Sequence, residues 1–350
     1  MSAPATLAEL GWRNFFMQQL DVDELGVLTP ARVTAVHRAQ LEVLTEDGPR
    51  EVLPYASEDD PELGRATVGD WLLLTDSVQP VRLLERASLF KRKPPLEGRR
   101  TQLIAANLDT LFVVTSCNRD FNVARLERYL AMAADAEVTP VIVLTKVDQA
   151  EDADSFIDQA RAISRDVQVE ALNAKDPAQA SRLLPWCGLG QTVAFVGSSG
   201  VGKSTLVNTL TDQAIETQGI READARGRHT TTHREMHRLP SGGWLIDTPG
   251  MRELQLTDVQ AGIEELFGDI EELALACKFR DCAHESEPGC AVRAAVEAGA
   301  LDQARVDRWR KLAAEEAHNT ATVAERHRRD RAFGKMVKDA MSAKRRPDRS

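Results

Sequence analysis

No stretch of the 350-residue sequence approaches the ~18–20 consecutive apolar residues that a membrane-crossing helix needs, so no membrane partner is expected. The opening, MSAPATLAELGWRNFF, lacks the basic segment and following apolar segment of a secretory leader, which points to a cytoplasmic location. Cysteine is scarce. Five thiols cannot make a disulfide framework in a chain this long, and the absence of a C-x-x-C pair argues against a redox motif. No internal repeat is evident. An excess of positive charge is missing too: 44 Lys/Arg face 54 Asp/Glu, a net charge of −10. As an average, that argues against a nucleic-acid binder. The distribution is less simple. Residues 325–349 hold ten Lys/Arg against four Asp/Glu, so this tail carries about +6 and the remainder about −16. Such a tail can hold a phosphate backbone locally, because charges are screened within ~8–10 Å at cellular salt. A solvated charged helix is the competing reading.

What is present suggests two or three domains with real cores: 43% of residues are apolar and 28% charged. Residues 1–30 read as a poorly specified arm with at most one short helix. Residues 31–100 hold about five short strand-like runs, such as ARVTAVH and GDWLLLT, divided by Asp-Gly and similar turn signals. They predict an OB-type β-barrel, closed by a basic, Pro-rich linker, FKRKPPLEGRR (Phe90–Arg100). From residue 101 to about 260 strands alternate with helices. Strands are predicted at 110–116, 140–145, 167–172, 192–197, 234–239 and 243–248. NVARLERYLAMAADA between the first two places Leu126, Leu130 and Ala133 on one helix face. Near-continuous Val/Ile/Leu strands of this kind predict a parallel sheet covered by helices on both faces. Residues 261–320 read as a helical domain around a Cys/His cluster, and 321–350 as a basic extension.

Within the third segment, Gly197-Ser198-Ser199-Gly200-Val201-Gly202-Lys203-Ser204 matches G-x-x-x-x-G-K-[ST]. An apolar strand precedes it, and a helix begins with Ser204-Thr205. The glycines let successive N–H groups curl around phosphate oxygens, and the helix N-terminus adds partial positive charge. Lys203 is expected to reach the β- and γ-phosphates and Ser204 to ligate Mg²⁺. Downstream, WLIDTPG ends a strand in a D-x-x-G box. Asp247 would hold Mg²⁺ through a water, and the Gly250 N–H would sense the γ-phosphate. RGRHTTTHRE (226–235) between them reads as a switch whose Thr230 or Thr231 completes the Mg²⁺ shell; spacing does not decide between them.

The base-reading parts stand in the opposite order to an ordinary GTPase. VIVLTKVD places Thr145, Lys146 and Asp148 about fifty residues before the phosphate loop, as a T/N-K-x-D box. Asn173-Ala174-Lys175 follows the next strand, where a second guanine-contacting loop would fall. The Asp148 carboxylate would accept from guanine N1 and N2, a pairing that adenine cannot match. The order predicts a circular permutation of one sheet. Separately, Cys277, Cys282, His284 and Cys290 form C-x₄-C-x-H-x₅-C, three thiolates and one imidazole. That set closes a tetrahedral Zn²⁺ with no open position, a structural role. Cys117 and Cys187 read as small buried thiols.

With these motifs in hand, the chain resembles the ribosome small-subunit-dependent GTPase A family, circularly permuted GTPases also called RsgA or YjeQ. The similarity spans nearly the whole chain and includes GxxGVGKSTLVN from Gly197, GRHTTTHRE from Gly227 and DTPGMRE from Asp247. It implies an OB-fold, binding of GTP and GDP, contact with the 30S ribosomal subunit and its 16S rRNA, and hydrolysis stimulated by that subunit during its late maturation. A monomer is expected. The pattern also departs from the commonest forms. Thr145 stands where many GTPases carry Asn, and Asn173 where Ser is common. Met251 replaces a water-orienting glutamine, and Asp258 stands where related chains often have a histidine. A thioether can neither donate a good hydrogen bond nor act as a base. The residue that positions the attacking water is therefore open; His229 and His233 are candidates, with a solvated loop the competing reading for both. Slow intrinsic turnover follows. The alternative function is an RNA-binding module whose nucleotide controls affinity and whose hydrolysis is incidental. An ATPase or kinase sharing the phosphate loop is a third reading.

Overall fold

The computed structural model describes residues 5–57, 59–60, 62–92, 101–211, 235–247, 259–317 and 319–320. Most of the predicted switch, with His229, Thr230, Thr231 and His233, lies outside these residues, as do Gly250, the linker beyond Arg92 and the basic extension. The chain divides into two units, the first running to Gln255 and the second holding the Cys/His segment.

In the first unit the amino-terminal segment is firmly packed, unlike the loose arm expected. It forms a short helix, α1 (Asn14–Met17), and buries Leu10 and Phe16 completely. The Trp12 ring meets Trp71 edge-on at 4.8 Å, and Phe16 lies 5.7 Å from the same ring. A few aromatic side chains bury enough area to fix a segment that has little regular structure of its own.

Next come β1 (Thr29–Val36), β2 (Leu41–Thr45), β3 (Gly48–Val52), β4 (Trp71–Leu74) and β5 (Pro80–Leu83), all antiparallel to their partners. Their side chains alternate as a half-buried sheet requires: along β2, Leu41, Val43 and Thr45 face inward. β1 is bulged between Val33 and Ala35, and pairs β4 with its first half and β2 with its second. The strands therefore curl around one core of Ala31, Val33, Leu41, Val43, Val52, Leu72 and Leu74. This is the curvature that an OB-type barrel needs. Fully buried Asp70 accepts from Arg86 Nε and Nη2 at 2.7 and 2.8 Å, closing the base of this core with a bidentate ion pair. The predicted linker begins as a strand, β6 (Leu89–Arg92), which pairs with β7 (Gln102–Ala106). β7 is not anticipated by the sequence, because five residues beside a charged, Pro-rich stretch carry no readable period.

The nucleotide-type sheet follows, built from β8 (Thr110–Ser116), β9 (Thr139–Thr145), β10 (Gln168–Ala171), β11 (Thr192–Val196), β12 (Glu235–Arg238) and β13 (Trp244–Asp247). In space the order is β10-β9-β8-β11-β13-β12, and the first five are mutually parallel. β12 is the exception. It runs antiparallel to β13 because a tight hairpin at 239–243 joins them, leaving no room for a crossover. Among the described residues, four helices accompany the strands: α2 (Val123–Asp135), α3 (Ala153–Arg161), α4 (Pro177–Ala180) and α5 (Lys203–Thr211). Leu126, Leu130 and Ala133 of α2 are buried, as their spacing predicts. Leu206 and Leu210 of α5 join Phe112, Val114, Val141 and Val143 in one core. β12 also touches β1 at Glu235 and Ala35, so the sheet runs on into the antiparallel β1–β5 strands.

Arg32 ties these parts together. It is 2% exposed. Its Nη1 donates to Leu10 O, and its Nη2 to Thr192 Oγ1 at 2.7 Å and Asn107 O at 3.3 Å. Burial pushes its pKa down to about 10, opposed by the nearby Asp109 carboxylate, so it stays charged at neutral pH. Arg32→Ala would leave three buried acceptors without a donor, at ~1–3 kcal/mol each. The expected loss is about 3 kcal/mol or more in urea unfolding followed by tryptophan fluorescence, with Arg32→Lys recovering little of it.

In the second unit, α6 (Gln260–Leu266) and α7 (Gly268–Leu275) precede the Cys/His loop, and α8 (Ala291–Glu297) and a helix over 303–317 follow it. Ile263, Phe267, Ile270, Val292 and Val306 form its buried centre. Arg305 clasps Asp269 through Nε and Nη2 at 3.0 and 2.9 Å, and Trp309 Nε1 donates to Glu271 Oε1 at 3.0 Å, so the last helix is held to α7.

Candidate active site and metal centre

The parallel pairing settles where each motif falls. Ser116 of β8 is level with Thr145 of β9, Val113 with Val196 of β11, and Leu144 with Ala171 of β10. Ala194 of β11 is level with Ile246 of β13. The residues that follow these strand ends leave one edge of the sheet. They are the base box at 145–148, the second base loop at 173–175, the phosphate loop from Gly197 and the carboxylate Asp247. A chain whose motifs are in permuted order thus delivers them to a single rim, as parallel strands must when their carboxyl ends are aligned.

The phosphate loop has the backbone that its glycines allow. Gly197, Gly200 and Gly202 adopt φ of 138°, 77° and 100°, positive values that residues with a side chain rarely adopt. At Gly197 space is lacking as well, since a Cβ there would lie 2.1 Å from Val114 O on the neighbouring strand. Val201 is buried and anchors the loop to the core that α5 covers. Lys203, the first residue of α5, folds back so that Nζ donates to Gly197 O at 2.7 Å and Ser198 O at 2.5 Å. Its ammonium is thereby held at the loop, where phosphate oxygens would be received. Ser204 and Thr205 form the first turn of α5, and Ser199 and Gly200 are exposed at the loop's crest.

Thr145, expected as a base contact, has another task here. It is fully buried, and its hydroxyl bonds Val201 O in the phosphate loop and Thr115 O on β8. A residue in the base box is therefore the strut between the two halves of the site. Lys146 follows in a left-handed conformation (φ 57°) and caps a single 3₁₀ turn, Val147–Gln149, that carries exposed Asp148. The second base loop is tied in by residues that the sequence reading missed. Thr209 Oγ1 on α5 donates to Ala174 O at 2.9 Å, and Gln179 Oε1 accepts from the Asn173 N–H at 2.8 Å. Asn173 Oδ1 in turn accepts from Lys175 N at 3.0 Å. Thr209 lies 35 residues from Ala174, and no local pattern signals such a contact.

In the second unit the sulfur and nitrogen ligand atoms of Cys277, Cys282, His284 and Cys290 all lie within 4.8 Å of one another. Cys277 Sγ is 3.8 Å from Cys290 Sγ and 3.6 Å from His284 Nδ1, and that nitrogen is 3.4 Å from Cys290 Sγ. Ligands ~2.0–2.3 Å from a tetrahedral ion sit at about these separations. The donor set therefore fits a structural Zn²⁺, with Nδ1 as the histidine ligand. The loop is shaped for it. His284 is left-handed (φ 58°), as is Gly289 (φ 78°). Burial raises the Cys277 thiol, but the Ala291 and Val292 N–H groups together with the Cys290 and Cys282 side chains hold its pKa below the usual value, which favours thiolate. The Glu287 carboxylate accepts from its own N–H and those of Ala283, Glu285 and Ser286, and sits at about pKa 2. The Trp309 ring covers His284 at 5.4 Å.

Sheet order, loop geometry and permuted motifs define this protein as a circularly permuted P-loop GTPase with an appended zinc-binding domain. A family model described as RsgA GTPase matches residues 83–257. A small ribosomal subunit biogenesis GTPase RsgA 2 from Vibrio parahaemolyticus is 49% identical, over 100% of this chain and 97% of its own length. A small ribosomal subunit biogenesis GTPase RsgA from Mesorhizobium japonicum is 53% identical over 91% and 92%. Among solved structures, YjeQ from Thermotoga maritima superposes with a TM-score of 0.60 at 25% identity, covering 82% of this chain and 97% of that one. An ABC transporter model also matches, over 187–328; that span contains the phosphate loop but not the base box. The chain belongs to the RsgA GTPase family, and it hydrolyses GTP to GDP and phosphate.

Two outcomes are expected. Gly197→Ala forces the loop away from β8 and destabilises the unit by about 2–3 kcal/mol. Its thermal shift with GDP should be abolished, and an undiminished shift would contradict this account of the loop. Elemental analysis should find one zinc per chain, and Cys290→Ser should lose it. Structural zinc contributes ~10–16 kcal/mol of folding free energy in small domains, so metal loss should unfold the second unit, visible as lost helical circular dichroism.

Proposed function

We propose that this protein is a GTP-hydrolysing factor in late maturation of the small ribosomal subunit, acting in the cytoplasm, with hydrolysis stimulated by the subunit it binds. The observation carrying this reading is the gathering of a guanine-type box, its second loop and a phosphate loop on one sheet rim, in a chain that matches small ribosomal subunit biogenesis GTPases along nearly its whole length. The 30S particle and its 16S rRNA are the partners in this reading, and the protein acts as a monomer.

Each residue then has a role. Asp148 accepts from guanine N1 and N2, with Lys146 and the 173–175 backbone framing the base. Backbone N–H groups from Ser198 to Thr205 receive the phosphates, and the Gly250 N–H meets the terminal one. Lys203 neutralises charge on the β- and γ-phosphates. Ser204, Asp247 and Thr230 or Thr231 would hold Mg²⁺, which when bound would polarise the terminal phosphates. Thr145 acts through the loop that it braces, not on the base. Met251, which follows the D-x-x-G box, carries a thioether that cannot orient water, which fits slow turnover by the free protein and acceleration by a partner.

Phosphate release from GTP, with and without purified small subunits, tests the proposal. Stimulation of at least tenfold is expected, along with much weaker competition by ATP than by GDP. An unchanged rate would favour a nucleotide-controlled RNA-binding module, and equal competition by ATP would defeat the base-box assignment.

A further inference from the structure

Arg125 is outside every motif considered so far, yet its side chain ends on the phosphate loop. It is the third residue of α2, in the turn that follows β8. Asn122 caps this helix by accepting from the Arg125 N–H at 2.9 Å, which fixes the start of α2. From there the guanidinium Nη1 donates to Ser198 Oγ, with a long second contact to Asp120 O at 3.5 Å. No carboxylate lies within ion-pair distance of it among the described residues. A surface arginine usually finds an acidic neighbour or points into solvent, whereas this one leans on a neutral hydroxyl in the loop.

Position gives the contact its meaning. Ser198 receives two cations, the Lys203 ammonium on its carbonyl and the Arg125 guanidinium on its hydroxyl. The P-loop lysine marks the β/γ-phosphate end of such a loop. Two positive groups converging there, one with no carboxylate at ion-pair distance among the described residues, suit a polyanion. One hydroxyl also occupies little of a guanidinium that offers five N–H donors in a planar fork.

We propose that Arg125 is a further catalytic residue, a guanidinium supplied by the chain itself to the terminal phosphate of GTP. The inference rests on the GTPase reading of this site and adds a residue to it. In the step concerned, a water oxygen bonds to the terminal phosphorus while the bond to the bridging oxygen breaks. The electron pair stays on the GDP oxygen, and the water proton passes to the departing phosphate. Negative charge grows on the bridging and terminal oxygens, and a fixed cation there lowers the barrier. Ser198 is the positioning residue, because its hydroxyl aims the fork.

Single-turnover hydrolysis and equilibrium binding of fluorescent GDP and a non-hydrolysable GTP analogue, on the full chain, test this. Arg125→Ala should slow hydrolysis at least tenfold and weaken the analogue several-fold, leaving GDP affinity within twofold. Arg125→Lys should recover part of the affinity but little of the rate, since it keeps the charge and loses the fork. Ser198→Ala should fall between them. An alanine variant that hydrolyses GTP at the original rate, or one that weakens GDP and the analogue equally, would overturn the proposal. Failure of the GTPase reading looks different: the unmodified chain would itself bind neither nucleotide, and Lys203→Ala would change nothing.

Discussion

Parallel hydrogen bonding between β8 and its two neighbours is the constraint on which the nucleotide site depends. β8 pairs with β9 on one side and β11 on the other, both in parallel. Because parallel strands end together at one edge, the loops after β9 and β11 are adjacent however far apart they lie along the chain. The buried Thr145 hydroxyl, bonded to Val201 O and Thr115 O, turns this adjacency into a fixed distance between base box and phosphate loop. Permuting the chain changes which strands are joined by covalent connections but leaves these pairings alone, so the same atoms can face the same ligand.

The permutation also reshapes the connections. Residues 172–191 must carry the chain from β10 across to β11. They do so through α4 and a 3₁₀ turn (Ser181–Trp186), packing Leu183 and Cys187 under the sheet. Burial drives the Cys187 thiol up to about 12, and Cys117 to about 11. Both are inert packing groups in consequence. At the other end of β11, the Thr192 hydroxyl accepts from Arg32 and its N–H donates to Asp109 Oδ2 at 2.7 Å. Asp109 also pairs with Arg13 at 2.7 Å. The amino-terminal segment, the β1–β5 strands and the nucleotide sheet are thus joined by a small set of polar contacts, those of Arg32 fully buried. Such contacts favour one arrangement, because each partner left alone would be an unsatisfied buried group.

The two units use different means of stability. The first has enough length to bury an extended apolar core on its sheet. The second is short, and its loop from Cys277 to Cys290 has almost no apolar content to bury, with Phe279 and most of its neighbours at least partly exposed. Four clustered ligands and the N–H groups gathered on Glu287 do there what packing does elsewhere.

Sequence by itself determined the local chemistry. Fully buried parallel strands need unbroken apolar runs, so TLFVVTS at 110–116 declared β8 over its whole length. Gly197, Gly200 and Gly202 declared a backbone that favours glycine, and the spacing of three cysteines and a histidine declared a metal loop. Only tertiary structure decided the contacts between distant residues. The packing of Trp12 and Phe16 against Trp71, the β6–β7 pairing, the antiparallel course of β12, Thr209 on Ala174 and Arg125 on Ser198 are of this kind. Each depends on where two separate segments meet, and a single chain read in one dimension holds no record of that meeting. The roles of Thr145 and Arg125 follow from the same fact: their side chains act on a loop that lies more than fifty residues away, and the folded sheet alone brings it within reach.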